Sequence, residues 1–151
     1  MIHKIQLLTN FEEIQKLYKF IQRFPLDYPD YFQWLEKCKR ELKLGYKKAF
    51  YATNSNEEII GSIIFQPHKQ ENKILELKNL RVTSSYEQQG LGSLLEFLTE
   101  LYAAENGFKR IRGDAHPENP VITFMQKRGY RIEAQESLYT AKKEIILYKD
   151  I

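Results

Sequence analysis

Apolar and polar residues alternate over residues 2–8, with Ile5 and Leu7 on one side, which is the two-residue period of a strand. Thr9 and Asn10 follow as cap residues, and Phe11, Ile14, Leu17, Tyr18 and Ile21 then recur at helical spacing. Pro25 bounds that helix, because a proline pushes the residue before it out of helical geometry. A second helix is predicted over residues 30–42, with Tyr31, Trp34, Leu35, Cys38 and Leu42 as its apolar face and Gly45 beyond its end. Residues 48–53 and 59–66 flank the polar cluster NSNEE and read as an antiparallel hairpin that ends at Pro67. A strand over residues 74–82 leads into a turn with two glycines. A helix over residues 93–106 follows, with Leu94, Phe97, Leu98 and Leu101 as its predicted apolar stripe and Asn106 and Gly107 at its end. A short strand at 109–113, a helix at 120–128 and strands at 130–132 and 144–148 complete the pattern.

Hairpins come early and helices alternate with strands later. This order predicts an α/β (α+β) fold in which helices flank one mixed, partly antiparallel sheet. The 151 residues suit a single domain spanning 1–151, and 42% apolar residues supply one core. A net charge of +3 with 28% charged residues does not demand nucleic acid, though it favours an anionic ligand. The lysine-rich run KCKRELKLGYKK could touch RNA, but on a helix with Glu36 and Glu41 it reads more simply as a solvated face. Cys38 is the only cysteine, which excludes an intramolecular disulfide. The N-terminal MIHKIQLLTNFEE lacks an apolar stretch of signal-peptide length, and no apolar run reaches the roughly 18 residues that cross a bilayer. We therefore expect a soluble cytoplasmic protein without a membrane partner. His3, His68 and His116 are isolated, and Asp114 with His116 makes a pair too small for a metal site, so no metal is expected.

The chemistry gathers in residues 76–98, ELKNLRVTSSYEQQGLGSLLEFL. Gly90 and Gly92 stand where a helix would begin, and its first N–H groups lack intrahelical partners. Such a turn suits a phosphate or pyrophosphate. A phosphate loop of the Gly-Lys-Ser/Thr kind is excluded, because that ending is absent. The dinucleotide fingerprint is excluded as well, since it needs a third glycine or alanine where Leu95 stands. The stretch resembles the GCN5-related N-acetyltransferase (GNAT) superfamily, whose Gln/Arg-x-x-Gly-x-Gly/Ala motif falls on Glu87, Gln88, Gln89, Gly90, Leu91 and Gly92. Glu87 departs from that pattern. The resemblance runs from about Ile59 to Tyr130 and includes DAHPENPVITFMQKRGY, which is similar to the family's asparagine, helix and Gly-aromatic ending.

The resemblance implies splayed central strands and an acyl-CoA, most simply acetyl-CoA, whose pyrophosphate rests on Gln88, Gln89, Gly90, Leu91, Gly92 and Ser93. Leu80 and Val82 would hold the pantetheine arm through their main chains, the Val82 amide would face the developing oxyanion, and Arg81 would offset charge. Glu76, fourteen residues before Gly90, takes the place of the family's general base. A structural pair with Lys78 on the same strand face explains it equally well. Asn119 resembles a pantetheine-binding asparagine, and also a helix cap beside Pro120. Met125 stands where the family often has an acidic tyrosine, and a thioether cannot donate a proton. Residues 24–34, FPLDYPDYFQW, carry rings with Asp27 and Asp30 and could hold a cationic acceptor, though helix packing with acidic caps explains most of them. The expected function is transfer of an acetyl group to a small-molecule or peptide amine; a non-catalytic acyl-CoA-binding module is the alternative. The oligomeric state is left open, a homodimer included.

Overall fold

The structure, a computed structural model, describes residues 1–24, 30–136 and 144–151, the side chains of 134–136 excepted. The elements run β1 (Ile2–Leu7), α1 (Phe11–Gln22), α2 (Tyr31–Lys43), β2 (Lys48–Asn54), β3 (Ile59–Pro67), β4 (Ile74–Val82), α3 (Leu91–Glu105), β5 (Arg110–Ala115), α4 (Val121–Lys127), β6 (Arg131–Glu136) and β7 (Glu144–Asp150). Seven strands form one mostly antiparallel sheet in the order β1-β2-β3-β4-β5-β7-β6, with four helices among the described residues. No helix among these residues is long and apolar enough to cross a membrane.

The chain divides into two compact units. One comprises Met1–Gln66 with Lys78–Thr99, and the other Pro67–Leu77 with Glu100–Ile151. In the first unit, Asn10 caps α1 by accepting from the Glu13 N–H at 2.9 Å, and the Glu13 carboxylate returns to the Thr9 hydroxyl at 2.8 Å. Ile14, Leu17, Phe20 and Ile21 of α1 and Tyr31, Leu35, Cys38 and Leu42 of α2 pack with Ala49, Tyr51 and Ile64 of the sheet into one buried cluster. Much of the lysine-rich face of α2 is spent on α1. Lys39 lies over the Tyr18 ring and Lys43 over Phe11, each 4.7 Å from the ring centre, and Tyr18 donates to Glu36 at 2.5 Å.

Helix α3 corrects the sequence reading twice. It begins at Leu91, two residues before the expected start. Its buried side carries Leu91, Leu95, Thr99 and Ala103, while Leu94, Phe97 and Leu101 of the predicted stripe are exposed. Glu96 is wholly buried on this helix.

In the second unit, β4 and β5 pair in parallel through Ile74 with Arg110, Leu75 with Ile111 and Glu76 with Arg112. Among the described residues the ladder ends there, which is the expected parting of the central strands. Strand β7 pairs antiparallel with β5 on one side and with β6 on the other. Both later helix ends close in the same way. Gly107 and Gly129 take left-handed φ of 82° and 96°, and the N–H groups of Phe108 and Tyr130 bond back to Ala103 and Met125 at 3.0 Å.

Candidate active site

In the first unit, β4 ends in a tight turn. The Thr83 N–H bonds to the Ile60 carbonyl at 2.8 Å, tying the strand's end to β3, and the Tyr86 N–H turns back to the Thr83 carbonyl at 2.8 Å. Gln88 then takes φ of 60° and Gly90 takes 82°, two left-handed residues that swing the chain into α3. Gly90 is exposed, and an added Cβ there would meet nothing within 4 Å. The first helical bond runs from the Leu94 N–H to the Gly90 carbonyl at 3.0 Å, so the helix ladder supplies no partner for the N–H groups of Leu91, Gly92 and Ser93. No acidic residue lies in the first turn of α3. Glu87, the departure from the family motif, is exposed to solvent. Donors, an open approach and the positive end of a 15-residue helix suit a pyrophosphate.

What holds this turn in place is Gly61, which the sequence reading passed over. A Cβ on Gly61 would stand 2.9 Å from Leu91 Cδ2 and 3.3 Å from the Arg81 carbonyl oxygen. The bare backbone of β3 is therefore the seat on which the first residue of α3 rests. Leu91 is 1% exposed, so only its main chain remains for a ligand. A glycine inside an apolar strand was the available signal.

Leu80, Arg81 and Val82 are half-buried on β4, and the Arg81 guanidinium reaches the Leu80 carbonyl at 3.4 Å. On the same stretch Asn79 is buried beside the Tyr31 phenol of α2. Burial raises the pKa of that phenol, while the charge of Arg81 lowers it. Tyr31 stacks on Trp34 with ring centres 5.8 Å apart, so part of the aromatic segment is helix packing. Asp30 begins α2 without a side-chain cap bond, and Asp27 lies outside the described residues.

The second unit carries Glu76 and Asn119. Glu76 is half-buried on β4 opposite Arg112. The Asn119 side-chain oxygen accepts from the Val121 N–H at 2.9 Å at the start of α4, one residue ahead of the cap position at Pro120. Met125 is buried, close to the place where a side chain on Gly113 would lie. His116 meets Glu144, with Nδ1 3.2 Å from a carboxylate that is wholly buried. Burial pushes the Glu144 pKa up, His116 opposes that shift and Glu118 adds to it. The sequence reading missed Glu144, and a separation of 28 residues gave it no local signal.

The sequence matches the acetyltransferase (GNAT) family over residues 9–130, and the chain belongs to that family. No curated protein sequence matches this one. Among solved structures, a GNAT-family protein from Desulfovibrio desulfuricans superposes with a TM-score of 0.83 at 13% identity, covering 97% of this chain and 98% of that one. An aminoglycoside 6'-N-acetyltransferase complexed with coenzyme A gives 0.78 at 20% identity, covering 98% and 97%. The acetyltransferase of the GNAT family from Streptococcus pneumoniae gives 0.75 at 18% identity, covering 98% and 99%. At these identities the likeness is one of fold.

Proposed function

We propose that this chain is an N-acyltransferase that moves an acetyl group from acetyl-CoA to a primary amine by direct transfer. The observation that carries the reading is the turn at residues 88–93, whose main-chain donors open α3 in a chain of the GNAT family. A fold neighbour with bound coenzyme A supports the same donor. In this reading the amides of Gln88, Gln89, Gly90, Leu91, Gly92 and Ser93 hold the pyrophosphate. Leu80 and Val82 hold pantetheine, Arg81 offsets some of the negative charge at the pyrophosphate turn and Asn119 assists. The Val82 amide, a fixed dipole, stabilises negative charge that develops on the acyl oxygen. Glu76, upstream on the strand that carries Leu80 and Val82, takes a proton from the acceptor's nitrogen directly or through water. The acceptor is a small-molecule or peptide amine.

The first test is thermal unfolding with and without acetyl-CoA and CoA. A ligand of the folded state alone adds about 2.7 kcal/mol at a hundredfold excess over its dissociation constant. Absence of a shift, checked by calorimetry, would remove the donor site and the enzyme reading with it. Given a shift, an amine screen should find turnover, and Glu76→Gln should lower the rate about 100-fold or more. An unchanged rate across pH would remove Glu76 from the base role.

A second reading, a non-catalytic acyl-CoA-binding module, is favoured by Met125, a buried thioether where the family often has an acid. Turnover of any amine eliminates it.

A further inference from the structure

The turn between β5 and α4 in the second unit brings an imidazole–carboxylate pair next to Asn119. The His116 carbonyl accepts from the Asn119 N–H at 2.9 Å, which closes residues 116–119 into one turn. Ala115 pairs with Ile145, so His116 and Glu144 come side by side at the end of the same ladder. Nδ1 of His116 is 3.2 Å from Glu144 Oε1; that carboxylate is 0% exposed, whereas 20% of the His116 side chain remains open to solvent. The two groups sense each other, since burial pushes the Glu144 pKa up and His116 opposes the rise. Glu118, in the same turn, adds to it. Asp114 precedes His116 by two residues on β5, and Glu136 of β6 stands opposite Glu144 in the register. A buried carboxylate behind a partly exposed imidazole suits proton transfer, because imidazole both takes and gives a proton near neutral pH.

The acetyl transfer proposed above leaves one proton transfer without a side chain. As the acceptor nitrogen bonds to the acyl carbon, the carbon–sulfur bond breaks, its electron pair stays on sulfur, and the thiolate takes a proton. The nitrogen starts as an ammonium and gives up two protons in all. Glu76 takes one and passes it to water. Met125, buried in α4, is a thioether and has no proton for the sulfur. His116 shares its turn with Asn119, which in that reading assists the pantetheine arm that ends in this sulfur.

We propose that His116 is the general acid that protonates the CoA sulfur, with Glu144 as the positioning residue behind it. The inference rests on the acyltransferase reading and adds to it a residue that touches the leaving group. The ring gives its proton to sulfur and regains one from the acceptor nitrogen, so the single proton released overall is the one that Glu76 sends to water.

The test needs no acceptor. The complex of the protein with CoA is titrated with base while the ultraviolet absorbance of the thiolate is followed, with the complex of desulfo-CoA as the blank. An imidazolium beside the sulfur favours the thiolate, so CoA bound to wild type should ionise at least about one pH unit below free CoA. His116→Gln, and His116→Asn as a shorter replacement, should return that ionisation to the range of free CoA. A pair that only holds β5 to β7 would not move it. Burial pushes the Cys38 thiol up to about 12, which keeps it out of the signal. CoA affinity and melting temperature check that the variants are folded. A bound thiol that ionises like free CoA in wild type, or a shift that survives either folded variant, would overturn the proposal while leaving the cofactor site intact. Failure of CoA to bind would overturn the acyltransferase reading itself, and the role of His116 with it.

Discussion

Gly61→Ala tests how the candidate cofactor turn is held. The added methyl would sit 2.9 Å from Leu91 Cδ2, whereas carbons pack at about 3.5–4.0 Å, so an overlap of roughly 0.6–1.1 Å must be relieved. The Arg81 carbonyl oxygen, 3.3 Å away on the other side, is backbone and cannot rotate out of the way, so Leu91 has to move. Overpacking of this kind costs about 1–3 kcal/mol, and at about 2 kcal/mol a chain of this size should melt about 4–8 °C lower. Because Leu91 is the first residue of α3, its displacement also misplaces the amides of Gly92 and Ser93, and the acetyl-CoA-induced rise in melting temperature should shrink. Gly90→Ala is the contrast: it meets no neighbour, so its cost of about 1–2 kcal/mol comes from the left-handed backbone alone. Adding Leu91→Val to Gly61→Ala should recover part of the lost stability, read as a coupling energy in a double-mutant cycle. The reasoning fails if Gly61→Ala matches wild type both in melting temperature and in its response to acetyl-CoA.

Three further outcomes follow from the same geometry. Glu87→Arg replaces an exposed carboxylate with the charge the family often carries, and it should tighten acetyl-CoA binding severalfold at low salt and less at high salt; an unchanged dissociation constant at low salt would mean that Glu87 does not sense the ligand. Burial raises the Glu144 pKa above its ordinary 4.5, so the native state holds that proton more tightly than the unfolded chain does. This contribution is fully present below the ordinary value and is lost as pH rises through the raised one, so wild type should lose stability relative to Glu144→Gln over that window; parallel melting-temperature profiles would refute it. Burial pushes Cys38 up to about 12, and iodoacetamide at mildly alkaline pH should label it only after unfolding. Fast labelling of the folded protein would contradict that burial.

The parts of the fold that local chemistry dictates were legible in the chain. The strand at residues 74–82 has the expected bounds, and Asn10 caps α1 as its type suggested. The glycines at 107 and 129 end helices because left-handed residues are needed there. Helix α3 misled because apolar residues occur on more than one of its sides. Leu94, Phe97 and Leu101 form as good a stripe as Leu91 and Leu95, and only the bare patch at Gly61 decides which side goes in. The early start of the helix was hidden by Gly92, a poor helix former that the turn nonetheless places in the first helical residues. The candidate cofactor turn was readable because glycines and left-handed geometry leave a local mark. Asn119 was readable only as two alternatives, and its bond from the Val121 N–H at the start of α4 is compatible with both. The pairing of His116 with Glu144, and the burial of Asn79 beside Tyr31, arise from contacts between distant segments. No periodicity encodes those.

The place of β7 sets the order in which the second unit can be completed. Strand β6 leaves the ribosome before β7, yet β7 lies between β5 and β6 and pairs with both. Until Glu144–Asp150 has been made, Arg131–Glu136 lacks its partner strand and the edge of Arg110–Ala115 turned away from β4 is open to other chains. Closure of this unit thus waits for β7, and the interval before it is when nascent chains are most exposed to mispairing.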